Sequence, residues 1–336
     1  MLEIASLREL LAKPKQIVIT THHKPDGDAM GSSLGLYNYL IQKGHHVKVI
    51  TPTDYPQFLD WMPGNEEVII YTEQTELADQ LINKAEIICC LDFNALGRIN
   101  EMGEVVRQTS AIKLMIDHHL EPEDFDDYRV WDINACASAQ LVYDFIANQM
   151  HERHLINKDV ATCLYTGIMT DSGSFRFPST TSAVHRIVAE LIDLGAENWR
   201  IHQAVYDNSS ESRLRFLGYC LSNKLEVLPE YHTALISVTR DELNKYEVIT
   251  GDTEGIVNFA LSITGIKLAA FIVERTDKVK LSLRSRGEFP ANEICKKYFS
   301  GGGHRNAAGG ASTDKFEDVV QKLKSILPEY KNLLIQ

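Results

Sequence analysis

The sequence predicts an α/β protein of two domains: a parallel sheet with helices on both faces, then a smaller α/β domain with a mixed sheet. Three observations predict it. Short β-branched apolar runs alternate with helical apolar spacing through the first half. Acidic and imidazole side chains follow those runs directly, and open parallel sheets collect ligands at the carboxyl ends of their strands. The chain has 336 residues, beyond the size at which a single hydrophobic core keeps growing.

Residues 17–20 form the first apolar run. After a polar loop, residues 29–42 carry Met30, Leu34, Leu36, Tyr37, Leu40 and Ile41 at near-helical spacing. Gly44 ends that helix and residues 47–50 read as the next strand, completing a βαβ unit that implies parallel pairing. Further buried strands are expected at 68–70, 86–92 and 112–116, with helices at 76–84, 138–150 and 159–169. The last helix feeds Thr170, Asp171, Ser172 and Gly173. The acidic stretch 121–127 reads as a solvated loop.

Near Leu194 the pattern changes. Domains are expected at 1–194 and 216–336, joined by a linker at 195–215 with helical pieces. Strands at 231–239, 266–274 and 278–286 suit a mixed sheet. Helices are expected at 292–299 and 316–327, with a glycine-rich turn, residues 301–310, between them. No repeat is visible.

Composition narrows the function. Hydrophobic residues at 44% and charged residues at 24% are ordinary for a soluble protein. No run approaches the roughly 20 apolar residues of a membrane span. The first 16 residues lack the apolar centre of a signal peptide. The six cysteines form no CxxC pair and read as buried, inert thiols of a reducing cytosol, Cys89 and Cys90 pointing to opposite faces of a strand. These features set a cytoplasmic expectation. The net charge of −12 argues against coating long nucleic acids. A small anionic substrate stays open, because bound divalent cations would invert the field of a carboxylate-rich pocket.

The chemistry concentrates in the loop His22-His23-Lys24-Pro25-Asp26-Gly27-Asp28 and the cluster Asp117-His118-His119. Pro25 and Gly27 bend the backbone between two carboxylates. The plainer alternative makes Asp28 an N-cap, with His22 and the His118–His119 pair merely hydrogen-bonded. Asp92 and Asp171, taken singly, are ordinary turn formers and gain weight from the ensemble. Carboxylates mixed with imidazole and no cysteine suit Mn²⁺, Fe²⁺ or Co²⁺, admit Zn²⁺ and match Ca²⁺ poorly. In the second domain, strand alternation puts Lys280, Ser282, Arg284 and Arg286 on one face and Val279, Leu281, Leu283 and Ser285 on the other. A guanidinium fork suits phosphate, and GGGHRNAAGG lets backbone N–H groups approach an anion, although a plain glycine turn explains it too. It is neither a P-loop nor a GxGxxG fingerprint.

TTHHKPDGDAMGS, LDFN, IDHH and TGIMTDSGSFRF occur in that order and resemble the four N-terminal motifs of the DHH phosphoesterase superfamily. LSLRSRGEFPANEI followed by GGGHRNAAGG resembles the DHHA1 substrate-binding domain. Within that group the chain is similar to the nano-RNase/pAp-phosphatase family, which degrades very short oligonucleotides and 3′-phosphoadenosine 5′-phosphate (pAp). The resemblance implies two metal ions, usually manganese. His22, Asp26 and Asp92 would hold one; Asp28, Asp92, His118 and Asp171 the other, Asp92 bridging. The HxxPD spacing of the motif selects His22 over His23. Asp117 would orient its neighbours, and His119 would meet the scissile phosphate as an electrostatic contact or proton donor. The GGGH motif implies substrate binding by Arg284, Gly302, Gly303 and His304. Arg98 is a further phosphate-contact candidate, while a solvated surface charge explains Arg286 equally well.

The resulting expectation is a cytoplasmic Mn²⁺-dependent phosphoesterase with two ions per chain. It would convert short RNA to nucleoside 5′-monophosphates and pAp to AMP and phosphate, with no membrane partner. The substrate would lie between the domains, and dimerisation is implied by the family alone. Alternatives are a phosphodiesterase for cyclic dinucleotides or linear pApA, a RecJ-like exonuclease on long single strands, and a nucleotide sensor without turnover. The sensor would show a lost ligand, and every motif position here is filled.

Overall fold

The structure is a computed structural model in which residues 3–335 are described. It divides into two compact units, the first ending at Asn208 and the second starting at Ser209. The boundary falls within the stretch expected as a linker, and helices occupy much of that stretch.

The first unit holds strands β1 (Gln16–Thr21), β2 (His46–Thr51), β3 (Val68–Ile70), β4 (Ile87–Leu91), β5 (Ile112–Asp117) and β6 (Tyr128–Trp131). All neighbours pair in parallel, in the order β3-β2-β1-β4-β5-β6. Its helices are α1 (Ile4–Leu10), α2 (Gly27–Gln42), α3 (Thr75–Lys84), α4 (Met102–Gln108), α5 (Ser138–Asp144), α6 (Lys158–Asp171), α7 (Ser182–Asp193) and α8 (Asn198–Tyr206). Strand alternation sorts the sheet into two buried faces. Ile17, Ile19, Val49, Cys89, Leu114 and Ile116 pack with α2, α5, α6 and α7, whereas Val18, Ile50, Ile88 and Cys90 pack with α3 and α4. The α/β expectation, with helices on both faces, therefore holds, and Cys89 and Cys90 point oppositely as the period of two requires. All six cysteines are free and buried. Burial pushes the Cys89 thiol up to about 12, which keeps it inert.

This strand order reverses direction between β1 and β4, the switch point at which open sheets leave a crevice beyond their carboxyl ends. Helices α2 and α6 close over that region at glycine contacts. A Cβ at Gly31 would sit 2.6 Å from the Gly167 backbone, so the helices approach closer than any larger residue permits.

The second unit begins with α9 (Glu211–Tyr219). Its remaining elements are β7 (Leu225–Leu228), β8 (Thr233–Val238), α10 (Arg240–Lys245), α11 (Ile256–Leu261), β9 (Leu268–Glu274), β10 (Val279–Ser285), α12 (Ala291–Tyr298), β11 (Gly302–His304), β12 (Ala307–Ser312), α13 (Phe316–Ile326) and α14 (Lys331–Ile335). The sheet order is β11-β12-β10-β9-β8-β7, and only β8–β9 is parallel among its pairs. The expected mixed sheet is present. Val279, Leu281 and Leu283 point into the core and Lys280, Ser282 and Arg284 are half-buried on the other face.

Four local expectations need correcting. The N-cap of α2 is Asp26, whose Oδ1 accepts from the Asp28 and Ala29 N–H groups, so the helix starts two residues before the expected Ala29. The helix expected over 138–150 leaves α-geometry at Phe145, where a π-turn runs to Gln149. Strand β6 lies directly after the acidic loop, in a stretch for which no element was expected. The glycine-rich segment is a hairpin of β11 and β12 rather than a bare turn.

Candidate metal centre

Three strand ends deliver the site. The chain leaves β1 into His22, leaves β4 into Asp92 and ends β5 on Asp117, with His118 and His119 next. Helix α2 presents Asp26 and Asp28 at its start, and α6 contributes Asp171 at its last residue. Asp171 thus reaches the cluster from a helix rather than from a strand loop.

Asp92 is central and buried. Its Oδ2 lies 3.4 Å from His22 Nε2, and its Oδ1 lies 3.6 Å from His118 Nε2 and 3.7 Å from His119 Nδ1. His118 Nε2 is also 3.6 Å from Asp171 Oδ2. Asp92 adopts a left-handed backbone, φ 62°, a conformation that an Asp side chain tolerates better than most.

Both central imidazoles are oriented by their other nitrogen. His22 Nδ1 donates to the His23 carbonyl at 2.9 Å, and His118 Nδ1 donates to the Ala135 carbonyl at 3.0 Å. Each Nε2 therefore points toward Asp92, and on losing its proton it would present a lone pair there, the aim that metal-binding histidines use. His119 differs. Its Nδ1 donates to Asp117 Oδ1 at 2.7 Å, and Asp117 is fully buried with its Oδ2 lacking a hydrogen-bond partner among the described residues.

Asp28 is held by α5. Its two oxygens accept from the Ser138 N–H at 2.5 Å and the Ala139 N–H at 2.9 Å, while Ser138 Oγ donates to Asp92 Oδ1 at 2.9 Å. Ser138 escaped the sequence reading, although it stood at the start of an expected helix, where serine side chains and free N–H groups gather.

The electrostatics show what this arrangement lacks as bare protein. Burial first, then the charges of Asp92, Asp171 and Asp26, push the Asp28 carboxyl well above its ordinary range. Burial also opposes the Asp92 carboxylate, but the His22 hydrogen bond and the charges of His119, His22 and His118 outweigh it and hold its pKa below the usual range. Burial works against His22 as well, and Asp92 and Asp26 overcome it to raise its pKa, with Arg98 opposing. Four carboxylates converging on buried imidazoles fit cations. One donor atom from each of His22, Asp26 and Asp92 lies within 4.8 Å of the others, and the same holds for Asp28, Asp92 and His118. The two groups share Asp92. The protein is thus suited to divalent metal binding.

The remaining candidates are placed as follows. His23 is exposed, its Nδ1 3.2 Å from the Arg98 carbonyl, which also receives the His23 N–H. Arg98 follows β4 in a short 3-10 turn near His22. In the second unit, Arg284 on β10 is register partner of Ala307, and Ala307 of His304. Register partners share a face, so Arg284 and His304 lie in one row with only a methyl group between them. The next row on that face is Ser282, Gly309 and Gly302. Gly303 has φ 130°, and a Cβ there would meet the Ala307 carbonyl at 2.6 Å, so the hairpin requires glycine. Arg286 is exposed beyond the strand. Among the described residues no helix is long and apolar enough to cross a membrane.

Residues 16–168 match the family model of the DHH family, N-terminal domain, and residues 233–329 match that of the DHHA1 domain. A bifunctional oligoribonuclease and PAP phosphatase from Thermus thermophilus is 32% identical over 93% of this chain and 88% of its own. The crystal structure of an exopolyphosphatase-related protein from Bacteroides fragilis superposes with a TM-score of 0.94 at 43% identity, covering 99% of this chain and 97% of that one. RecJ from Thermus thermophilus, solved in complex with Mn²⁺, shares the fold at TM-score 0.56 and 12% identity over 98% of this chain and 54% of its own.

Proposed function

The chain belongs to the DHH–DHHA1 phosphoesterase family, and from that premise we propose that it hydrolyses short oligoribonucleotides to nucleoside 5′-monophosphates and pAp to AMP and phosphate. The observation that carries the reading is Asp92, whose two oxygens face different histidines, His22 and His118. That geometry suits a carboxylate shared by two cations. His22, Asp26 and Asp92 would hold one, and Asp28, Asp92, His118 and Asp171 the other. The donor set suits Mn²⁺, Fe²⁺ or Co²⁺, and the family resemblance points to Mn²⁺ among them. Two such cations supply neutralisation of the phosphoryl oxygens and activation of water.

The protein's own groups do the rest. Asp117 fixes the His119 ring by its Nδ1–H, which leaves Nε2 to face the scissile phosphate and stabilise its charge. Ser138 and Ala139 lock Asp28, and Ser138 Oγ locks Asp92, so both carboxylates are set before substrate arrives. Arg284 and His304, in one row above a glycine floor, suit a phosphate with its attached nucleoside, and Gly302 and Gly303 let it approach the backbone. Arg98 adds positive charge beside His22. The net charge of −12 fits small substrates better than a long nucleic-acid track.

The test is an assay of the full chain with Mn²⁺ on pAp, pApA, a series of longer oligonucleotides, and polyphosphate. Turnover of pAp and pApA, falling with oligonucleotide length, is expected. Turnover of polyphosphate alone would overturn the substrate assignment.

A further inference from the structure

We propose that Trp131 is the stacking platform for the nucleobase beyond the scissile phosphate, the base that an oligonucleotide carries and pAp lacks. This rests on the reading of the site as a phosphoesterase for both substrates and extends it to the way the two are told apart.

Trp131 ends β6, the edge strand, and its register partner on β5 is Asp117. The two side chains therefore issue from the same face at the carboxyl end of the sheet, one residue row from the metal cluster. The indole Nε1–H donates to the His119 carbonyl at 2.7 Å. The ring is thus tied to the backbone of the residue placed at the scissile phosphate. Despite that tie, Trp131 is 40% exposed. With its N–H satisfied, Trp131 still presents much of its apolar ring to water. Leu120, next to His119, and Ile133, two residues beyond Trp131, are exposed as well and extend the apolar character of this edge. A fixed, partly exposed indole beside a phosphate site is what base stacking uses in single-strand recognition.

Which base it takes follows from the chemistry. In pAp and in pApA, water adds to phosphorus and the P–O3′ bond of the same adenosine 5′-phosphate unit breaks, its 3′-oxygen leaving with a proton. The other product is inorganic phosphate from pAp and a second nucleotide from pApA. Arg284, Gly302, Gly303 and His304 are assigned to the unit common to both. Trp131 lies instead beside His119, at the phosphorus, where the second nucleotide of pApA continues.

The experiment measures kcat and KM on pAp and pApA for the Mn²⁺-loaded full chain and for Trp131→Ala and Trp131→Phe. Trp131→Ala is expected to raise KM for pApA roughly five- to hundredfold, the range typical of one stacked base, and several times more than KM for pAp. Trp131→Phe, which keeps a ring but loses the tie to the His119 carbonyl, should fall between wild type and Trp131→Ala. An equal loss on both substrates would overturn the proposal, as would an unchanged KM for pApA or a Phe variant as impaired as Ala. A wild-type protein that turns over neither substrate would instead remove the underlying functional reading, and this one with it.

Discussion

Oδ2 of Asp92 lies 3.4 Å from Nε2 of His22, the one ring nitrogen of that histidine not already spent on the His23 carbonyl. The relationship repeats in mirror fashion on Oδ1 with His118. One carboxylate thus sits between two imidazoles, each aimed by its own backbone carbonyl.

Cation binding should release protons. Asp28, His22 and His118 all have pKa values above their ordinary ranges in the bare site; burial and neighbouring carboxylates do this for Asp28, while for the histidines the carboxylates outweigh burial. Protons held on these groups must leave before they can act as ligands, so affinity rises with pH, by about tenfold per unit for each proton released. Calorimetric titration with Mn²⁺ in buffers of different ionisation heat measures this directly. Affinity independent of pH, with no proton release, would contradict it.

His119→Ala should lower kcat by about 10²–10⁴ while the cation content stays at the wild-type level. The reason is that His119 spends its Nδ1 on Asp117 rather than on the cation cluster. Loss of bound metal in this variant, measured by elemental analysis, would make His119 a ligand instead.

Gly167→Ala tests the close packing that positions Asp28. A Cβ at this position would lie 2.6 Å from the Ala139 Cβ and 2.8 Å from Asp28 Oδ1. Overpacking of this kind costs about 1–3 kcal/mol. A lower Tm together with weakened Mn²⁺ binding is expected. Unchanged binding would show that Asp28 accommodates the methyl group without consequence.

In the second unit, Glu242 links stability to pH. Burial disfavours its charged form, but Lys224, Tyr219 and the Thr239 N–H all donate to it and hold its carboxyl down to about 2. A depressed folded pKa contributes stability that is present above the ordinary value near 4.5 and is lost as pH falls through about 2. Glu242 also closes the capping box of α10 with Thr239. Glu242→Ala should therefore cost about 1–2 kcal/mol at pH 7, with the gap in Tm narrowing as pH drops toward 2. A gap independent of pH would locate the effect in packing instead.

Much of the site was legible because it obeys simple rules. His22, Asp92 and Asp117 each stand at the end of an apolar run, and parallel sheets gather such ends on one edge. The β10 alternation that separates Arg284 from Leu283 follows from the strand period alone. Other parts depend on contacts that a linear pattern does not carry. Asp171 closes α6, and the approach of α6 to α2 rests on Gly31 and Gly167, a contact that apolar spacing does not announce. Ala307-Ala308-Gly309-Gly310-Ala311-Ser312 has no β-branched residue, so β12 is a strand through its pairing with β10 and β11. Strand β6 is four residues long and follows an acidic loop, which hid both it and Trp131.

The central claim is that Asp92 serves two cation sites at once, and metal stoichiometry tests it most directly. Asp92→Asn keeps the shape of the side chain and its tolerance of a left-handed backbone while removing the charge. Titrated with Mn²⁺ beside Asp26→Asn, the wild-type chain should bind two ions, Asp26→Asn should weaken one, and Asp92→Asn should weaken both and abolish hydrolysis. An Asp92→Asn protein that binds two ions with wild-type affinity and still turns over pAp would contradict the account.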